Sequence, residues 1–210
     1  MSKQDSIEAL ERSLRAGPAP TGDEVDALSE RLAERAVADG LVDVAYAMTD
    51  TPVGRMLVAT TPRGLVRVGL PRKTYDDVLE ELSREVSPRV LESPARLDAI
   101  RRELEEYFEG RRRDFDLPLD WRLSHGFRGE ALKALLGVPY GHTVTYTELA
   151  ERAGSPRAYR AAGSACGSNP IPIVVPCHRV VRTGGALGEY GGGPEMKRFL
   201  LGLEGAISNE

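Results

Sequence analysis

The 210-residue chain is poor in the groups that build covalent frameworks and metal centres. It has two cysteines, Cys166 and Cys177, and three histidines, His125, His142 and His178. Two thiols do not staple a chain of this size, and a reducing compartment keeps them apart. None of these residues has the spacing of a zinc site, so no metal is expected. Long apolar runs are missing as well. None approaches the roughly 20 residues that cross a bilayer, which argues against a membrane-spanning helix. The first dozen residues carry charges throughout where a secretory signal has an apolar stretch, so a cytoplasmic protein is expected. Internal repeats and low-complexity tracts are absent. An overall basic character is also lacking, since the net charge is −4. That average conceals an asymmetry. Residues 1–120 carry 18 Lys+Arg against 25 Asp+Glu, whereas residues 121–210 carry 10 against 7. The C-terminal part is thus mildly positive and suited to phosphates.

What is present divides the chain into three stretches. Residues 4–15 and 23–38 read as two short amphipathic helices around the breaker cluster Gly17-Pro18-Ala19-Pro20-Thr21-Gly22. In the second, Val25, Leu28, Leu32 and Ala36 recur at helical spacing. From Val42 the period changes. Residues 42–46, 54–59 and 64–70 are short, β-branched and bounded by Pro or Gly, as in an antiparallel meander. Helical patterns follow near 75–86 and 94–109, the latter ending at Gly110 as a C-cap does. After Trp121, where 15 of the 22 glycines lie, helices are expected near 127–136, 146–153, 156–167 and 194–203. The expected architecture is α+β: a helical extension over 1–41, a small strand-rich domain over 42–118, and a mainly helical domain over 119–210.

Two segments of the last domain carry chemistry. In Thr145-Tyr146-Thr147-Glu148-Leu149-Ala150-Glu151-Arg152-Ala153-Gly154-Ser155-Pro156, Thr145 or Thr147 caps a helix, Gly154 ends it, and Pro156 opens the next. This pattern predicts a helix-turn-helix, whose second helix is crowded with small residues that permit close approach. Downstream, the proline-bounded run Asn169-Pro170-Ile171-Pro172-Ile173-Val174-Val175-Pro176 delivers Cys177-His178-Arg179-Val180. A buried structural cysteine is the ordinary outcome for a lone thiol. Adjacent side chains in extended backbone face opposite ways, so activation of Cys177 by His178 requires a bridging water or an unusual turn.

These residues resemble the O6-alkylguanine-DNA alkyltransferases, also called methylated-DNA–protein-cysteine methyltransferases. The resemblance is dense over 121–205 and weaker over 42–118. It rests on Pro176-Cys177-His178-Arg179-Val180, on Pro139-Tyr140-Gly141 with Thr145-Tyr146, and on Arg160-Ala161-Ala162-Gly163 with Asn169-Pro170. Gly188-Glu189-Tyr190-Gly191-Gly192-Gly193, Lys197 and Glu204 follow in register. Asp50-Thr51-Pro52-Val53-Gly54 and Arg63-Gly64-Leu65-Val66 look like the family's N-terminal domain.

The resemblance implies direct-reversal repair of double-stranded DNA carrying O6-alkylguanine, with Cys177 the acceptor and no cofactor. It implies that Glu204 orients His178, that His178 draws the Cys177 proton through a water, that Tyr146 donates toward guanine N3, that Lys197 neutralises charge near O6, and that Asn169 supports the turn. It places the helix-turn-helix in the minor groove, with Arg160 filling the gap left by a flipped base. Ala161 and Gly163 then allow close approach, and Arg179, Val180, Tyr190 and Gly191 join the DNA or base contacts. A monomer off DNA is implied, and a protein partner is an expectation for residues 1–41. Tyr159 and Cys166 depart from the usual pattern near the recognition helix. Three rivals remain: a non-enzymatic alkylguanine sensor, which usually has tryptophan at the acceptor position; a helix-turn-helix regulator with a sensing cysteine; and a Cys-His hydrolase.

Overall fold

A computed structural model describes residues 21–208. The expected helix over 4–15 lies outside the described residues. The chain divides into two compact units at Asp39/Gly40. Among the described residues, the first unit is the helix α1 (Gly22–Ala38), which exposes Val25, Leu28 and Leu32 on its surface.

The second unit opens with β1 (Val44–Thr49), β2 (Met56–Thr61) and β3 (Gly64–Gly69), the antiparallel meander read from the sequence. A fourth strand, β4 (Val90–Glu92), pairs in parallel with β1 and gives the order β3-β2-β1-β4. Three residues carry no readable periodicity, which is why the sequence did not show it. Between β3 and β4 runs α2 (Tyr75–Glu85), capped by the Thr74 side chain on the Asp77 amide. Its buried Val78 and Leu82 pack with Val44, Leu57, Ala59 and Val66 of the sheet. Burying an aliphatic side chain of this size contributes roughly 1.5–3 kcal/mol, so these six residues anchor the N-terminal half. The helix α3 (Asp98–Phe108) follows a 3-10 turn and buries Ile100, Leu104, Tyr107 and Phe108. Gly110, with φ 72°, ends that segment as expected.

The connection to the C-terminal half is clamped onto β3. Pro118 O accepts from the Leu65 amide at 2.8 Å, and Asp120 accepts from the Thr61 hydroxyl at 2.6 Å. A Cβ on Gly64 would lie 2.1 Å from Pro118 O, so only glycine permits this approach.

The helices α4 (Gly126–Leu135), α5 (Tyr146–Arg152), α6 (Tyr159–Gly167) and α7 (Pro194–Leu203) build the C-terminal half. Of the two candidate caps for α5, Thr145 takes the role. Its hydroxyl accepts from the Glu148 amide while Glu148 accepts from the Thr145 amide, a full capping box. The pair α5–α6 forms the expected helix-turn-helix, but α6 begins at Tyr159 and Pro156 lies in the turn before it. A short parallel pairing of β5 (Val144–Thr145) with β6 (Val180–Val181) ties the start of α5 to the segment just after Cys177.

Candidate active site

Residues 169–181 are buried without interruption, although the segment is mostly irregular. Its backbone groups therefore need internal partners, and Asn169 supplies several. Its Oδ1 accepts from the Ile171 amide at 3.0 Å. Its Nδ2 donates to Val175 O at 2.8 Å and to Cys177 Sγ at 3.1 Å. Among the described residues Ile173 alone is a non-glycine with positive φ, at 75°. A β-branched residue there costs on the order of 1–3 kcal/mol and persists only where its surroundings over-determine it. The Asn169 brace, with Val175 N on Ile171 O at 2.9 Å and Cys177 N on Val175 O at 2.8 Å, provides that constraint.

The strained segment enters a 3-10 turn, Cys177–Arg179. The turn replaces the extended geometry considered for the sequence, and successive side chains fan around it by about a third of a revolution. His178 and Arg179 both converge on Glu204, the residue just after α7. His178 Nε2 lies 2.8 Å from Glu204 Oε1. Arg179 donates from Nε to Oε2 at 2.9 Å and from Nη2 to Oε1 at 3.0 Å. Tyr107 donates its hydroxyl to Oε1 at 2.7 Å, and the Gly141 amide donates to Oε2 at 3.2 Å. Gly141 has φ 75°, and a Cβ there would lie 2.8 Å from Glu204 O, so this amide is delivered by a glycine of necessity.

Five donors on one carboxylate fix its charge. Burial alone would raise the Glu204 pKa, but His178 and Arg179 outweigh it and hold the carboxyl at about 2. A permanent anion facing Nε2 makes that nitrogen the protonated one, which leaves Nδ1 as the ring's lone-pair atom. Nδ1 is buried and has no hydrogen-bond partner among the described residues. Burial, with the charges of Arg179 and Lys197, outweighs Glu204 and lowers the His178 pKa below its ordinary value. The ring is therefore neutral at pH 7 and able to accept a proton.

Cys177 is 4% exposed, and burial pushes its thiol up to about 11, against the opposing effects of Asn169 and Lys197. Only about one molecule in 10⁴ then carries a thiolate at pH 7, a cost near 5 kcal/mol. Such a sulfur reacts only if a base takes its proton during the reaction. Lys197, on α7 and fully buried, donates to Val180 O at 2.5 Å. Burial lowers its pKa.

Beside the turn lies a cavity of about 410 Å³ lined by Tyr146, Gly163, Cys166, Gly167, Arg182, Glu189, Tyr190 and Gly191. Tyr146 is the first residue of α5, and burial raises its pKa, so the phenol stays a donor. Gly163 on α6 faces it, since a Cβ there would lie 3.8 Å from the Tyr146 ring. Ala161 is exposed on the same helix. Arg160 is exposed and lies over the Tyr159 ring at 5.6 Å. Tyr159, which departs from the usual pattern, is 46% exposed.

Two of the expected contact residues are buried among the described residues. Arg179 is 5% exposed, and its third nitrogen, Nη1, donates to Val138 O at 2.6 Å. With Glu204 on one side and a carbonyl on the other, the guanidinium is engaged within the protein. Val180 is fully buried in β6 and does not line the cavity. Tyr107 is the residue that sequence reasoning missed. Its only signal was a phenol on a buried helix stripe, which needs a partner for its hydroxyl.

Two family models match the chain: 6-O-methylguanine DNA methyltransferase, ribonuclease-like domain, over residues 44–121, and its DNA binding domain over 126–206. The inducible methylated-DNA–protein-cysteine methyltransferase of Bacillus subtilis is 38% identical over 154 residues, which is 73% of this chain and 86% of that one. The chain belongs to the 6-O-methylguanine DNA methyltransferase family. A Methanosarcina barkeri relative of the same name is 39% identical over 76% of this chain and 96% of its own. The crystal structure of Mycobacterium tuberculosis O6-methylguanine methyltransferase superposes with a TM-score of 0.66 at 36% identity, covering 80% of this chain and 96% of that one. A second structure of that protein, in complex with DNA, gives the same TM-score over 77% and 93%. The activity of the family is alkyl transfer from methylated DNA to a protein cysteine, in direct-reversal repair.

Proposed function

We propose that Cys177 is the alkyl acceptor and that the buried turn around it is the machinery of transfer. The observation that carries this reading is Cys177 Sγ, held by Asn169, in one turn with a neutral His178 whose Nε2 is pinned by an ionised Glu204. Sulfur attacks the alkyl carbon of O6-alkylguanine. The S–C bond forms, the C–O6 bond breaks, and its electron pair stays with guanine. The thiol proton passes through a water to His178 Nδ1, the base-and-orienter arrangement of nucleophilic triads. Glu204 remains an anion throughout and stabilises the imidazolium. Tyr146 donates toward guanine N3, which offsets the charge left on the ring. Lys197 acts on the same charge through space, its Nζ being fixed on the Val180 carbonyl beside the acceptor turn.

The target atom lies within the base stack, so the nucleotide leaves the duplex first. The exposed Arg160, with Ala161 and Gly163 beside it, supports entry of α6 into the minor groove, with Tyr190 and Gly191 on the wall that receives the base. Residues 119–210 then form the transfer domain and 42–118 its N-terminal companion. Because the thioether is not released, one chain is consumed per lesion, and a monomer suffices. The protein is assigned to the cytoplasm; no helix among the described residues is long and apolar enough to cross a membrane. The exposed Val25, Leu28 and Leu32 of α1 support a protein partner for residues 1–41, so deleting 1–38 removes that association and leaves transfer unchanged.

The deciding experiment is intact-protein mass after incubation with a duplex containing one O6-methylguanine. One added methyl group, mapped to the peptide bearing Cys177, is expected. An unchanged mass with tight binding to the lesion would instead make the protein a sensor. Arg160→Ala is expected to slow transfer from duplex by roughly 10- to 100-fold, in keeping with a few kcal/mol of unstacking. Transfer from free O6-methylguanine base stays at the wild-type rate. An equal loss on both substrates would end the base-flipping role.

A further inference from the structure

The N-terminal half reaches the site at two points. Val68 N and Arg67 Nη1 donate to Pro170 O at 2.8 and 3.2 Å, holding the loop that Asn169 braces. The second point is Tyr107, fully buried in the last turn of α3. Its hydroxyl is 2.7 Å from Glu204 Oε1 and 3.5 Å from His178 Nε2. We infer that Tyr107 is a positioning residue for alkyl transfer: its hydroxyl shares Glu204 Oε1 with His178 and limits how tightly the carboxylate holds the ring.

A carboxylate oxygen offers about two lone-pair sites. Here Oε1 meets three donors: Tyr107, His178 and Arg179. Donors on one oxygen compete, because each withdraws charge from the lone pairs the others use. The Tyr107 ring is fixed by edge or tilted contacts with Phe108, Phe115 and Tyr140, so its hydroxyl is preorganised. Burial and the Glu204 charge raise its pKa, so it remains a donor at every working pH. His178 is faced by Glu204, by Tyr107 from α3, by Arg179 and Cys177 in its own turn, by Lys197 from α7, and by Tyr190 with ring centroids 6.4 Å apart. Of these, Tyr107 alone can lose its hydrogen bond to Glu204 with neither the net charge nor the ring packing changed. Without that donor Glu204 holds the His178 N–H more strongly, the imidazolium is favoured, and at low pH more of the ring is already protonated and unable to take the thiol proton.

This inference rests on His178 being the base in the proposed transfer. The test compares full-length wild type with Tyr107→Phe in single-turnover methyl transfer from the O6-methylguanine duplex between pH 5 and 9. The His178 ring is titrated in parallel by NMR in the absence of DNA. The acid limb and the His178 midpoint are both expected to rise by ~0.5–1 unit, giving a loss that approaches three- to tenfold below the wild-type midpoint and is recovered at pH 8. Superimposable profiles, or a loss equal at all pH values, would overturn the inference. Phe108→Leu, a packing change in the same turn, lowers stability without moving the limb. A matching shift in that variant would remove the hydroxyl as the cause. Failure of the wild type itself to gain a methyl group would count against the Cys177 reading, while the NMR midpoints would still report on Tyr107.

Discussion

Cys177→Ser is expected to retain no methyl group while binding the damaged duplex as the wild type does. The substitution is small in structural terms. A serine Oγ accepts the Asn169 Nδ2 hydrogen bond that Sγ accepts at 3.1 Å, and the cost to stability is about 1 kcal/mol. The proposed groove contacts, Arg160, Ala161 and Gly163, belong to α6 and are not altered. The loss is chemical. The thiol already stands at about 11 because burial outweighs Asn169 and Lys197. A hydroxyl in the same place is several units harder to deprotonate, beyond the reach of a neutral imidazole, and oxygen lacks the polarisability of sulfur. Intact mass after incubation with the O6-methylguanine duplex reads the first half of the prediction, and a gel shift on the same duplex reads the second. A methyl group retained by the serine variant would place the acceptor elsewhere. Cys166 is the only other thiol. It is partly buried in the cavity wall, and burial raises its pKa further than that of Cys177. Cys166→Ser is therefore expected to take up one methyl group like the wild type.

Much of this site could be read from the chain, and the parts that could not share a physical cause. Local patterns carried local structure. The small-residue helix after Gly154 became α6, and the Gly110 and Gly154 breaks are both left-handed glycines. The proline-bounded run before Cys177 became a buried, braced loop. Short elements were less legible. In β4 three residues are held by parallel pairing to β1, a partnership more than 40 positions away in sequence. Charge proved the most ambiguous signal. Arg179 reads as one of the DNA or base contacts, because sequence shows a guanidinium without showing its burial. Its actual partner, Glu204, lies 25 positions downstream. Glu204 and Lys197 alone would have read as solvated helix charges, and only their register with the Cys177 motif singled them out. Tyr107 sits 97 residues from Glu204, on a helix whose spacing announced core and nothing more. What the sequence withheld were long-range pairings of polar groups, which depend on the assembled fold and leave no periodic trace.

Glu204→Gln is expected to be the most damaging single change that leaves every reacting atom in place. Five donors converge on the carboxylate, whereas an amide offers one acceptor oxygen and sets an N–H₂ group against donors. Arg179, 5% exposed, is left as a buried cation without its counter-charge. Removing one partner of such a pair costs roughly 3–5 kcal/mol. Transfer falls as well, by roughly 10²- to 10⁴-fold, because the neutral amide neither fixes the His178 tautomer nor stabilises the imidazolium. The pH dependence separates charge from packing. Glu204 is held at about 2 in the folded chain against an ordinary 4.5. A depressed carboxyl contributes stability above its ordinary pKa and loses it as pH falls from ~4.5 toward ~2, here about 3 kcal/mol. His178, also lowered, binds fewer protons folded than unfolded, so it too makes wild-type stability rise with pH, around its own ordinary value. Urea unfolding at pH 7 and at pH 3 should thus show a wide gap between wild type and Glu204→Gln that narrows in acid. A gap of constant width would mean that the ionised carboxylate is not what stabilises the turn, and the account of Glu204 as a fixed anion serving His178 would lose its basis.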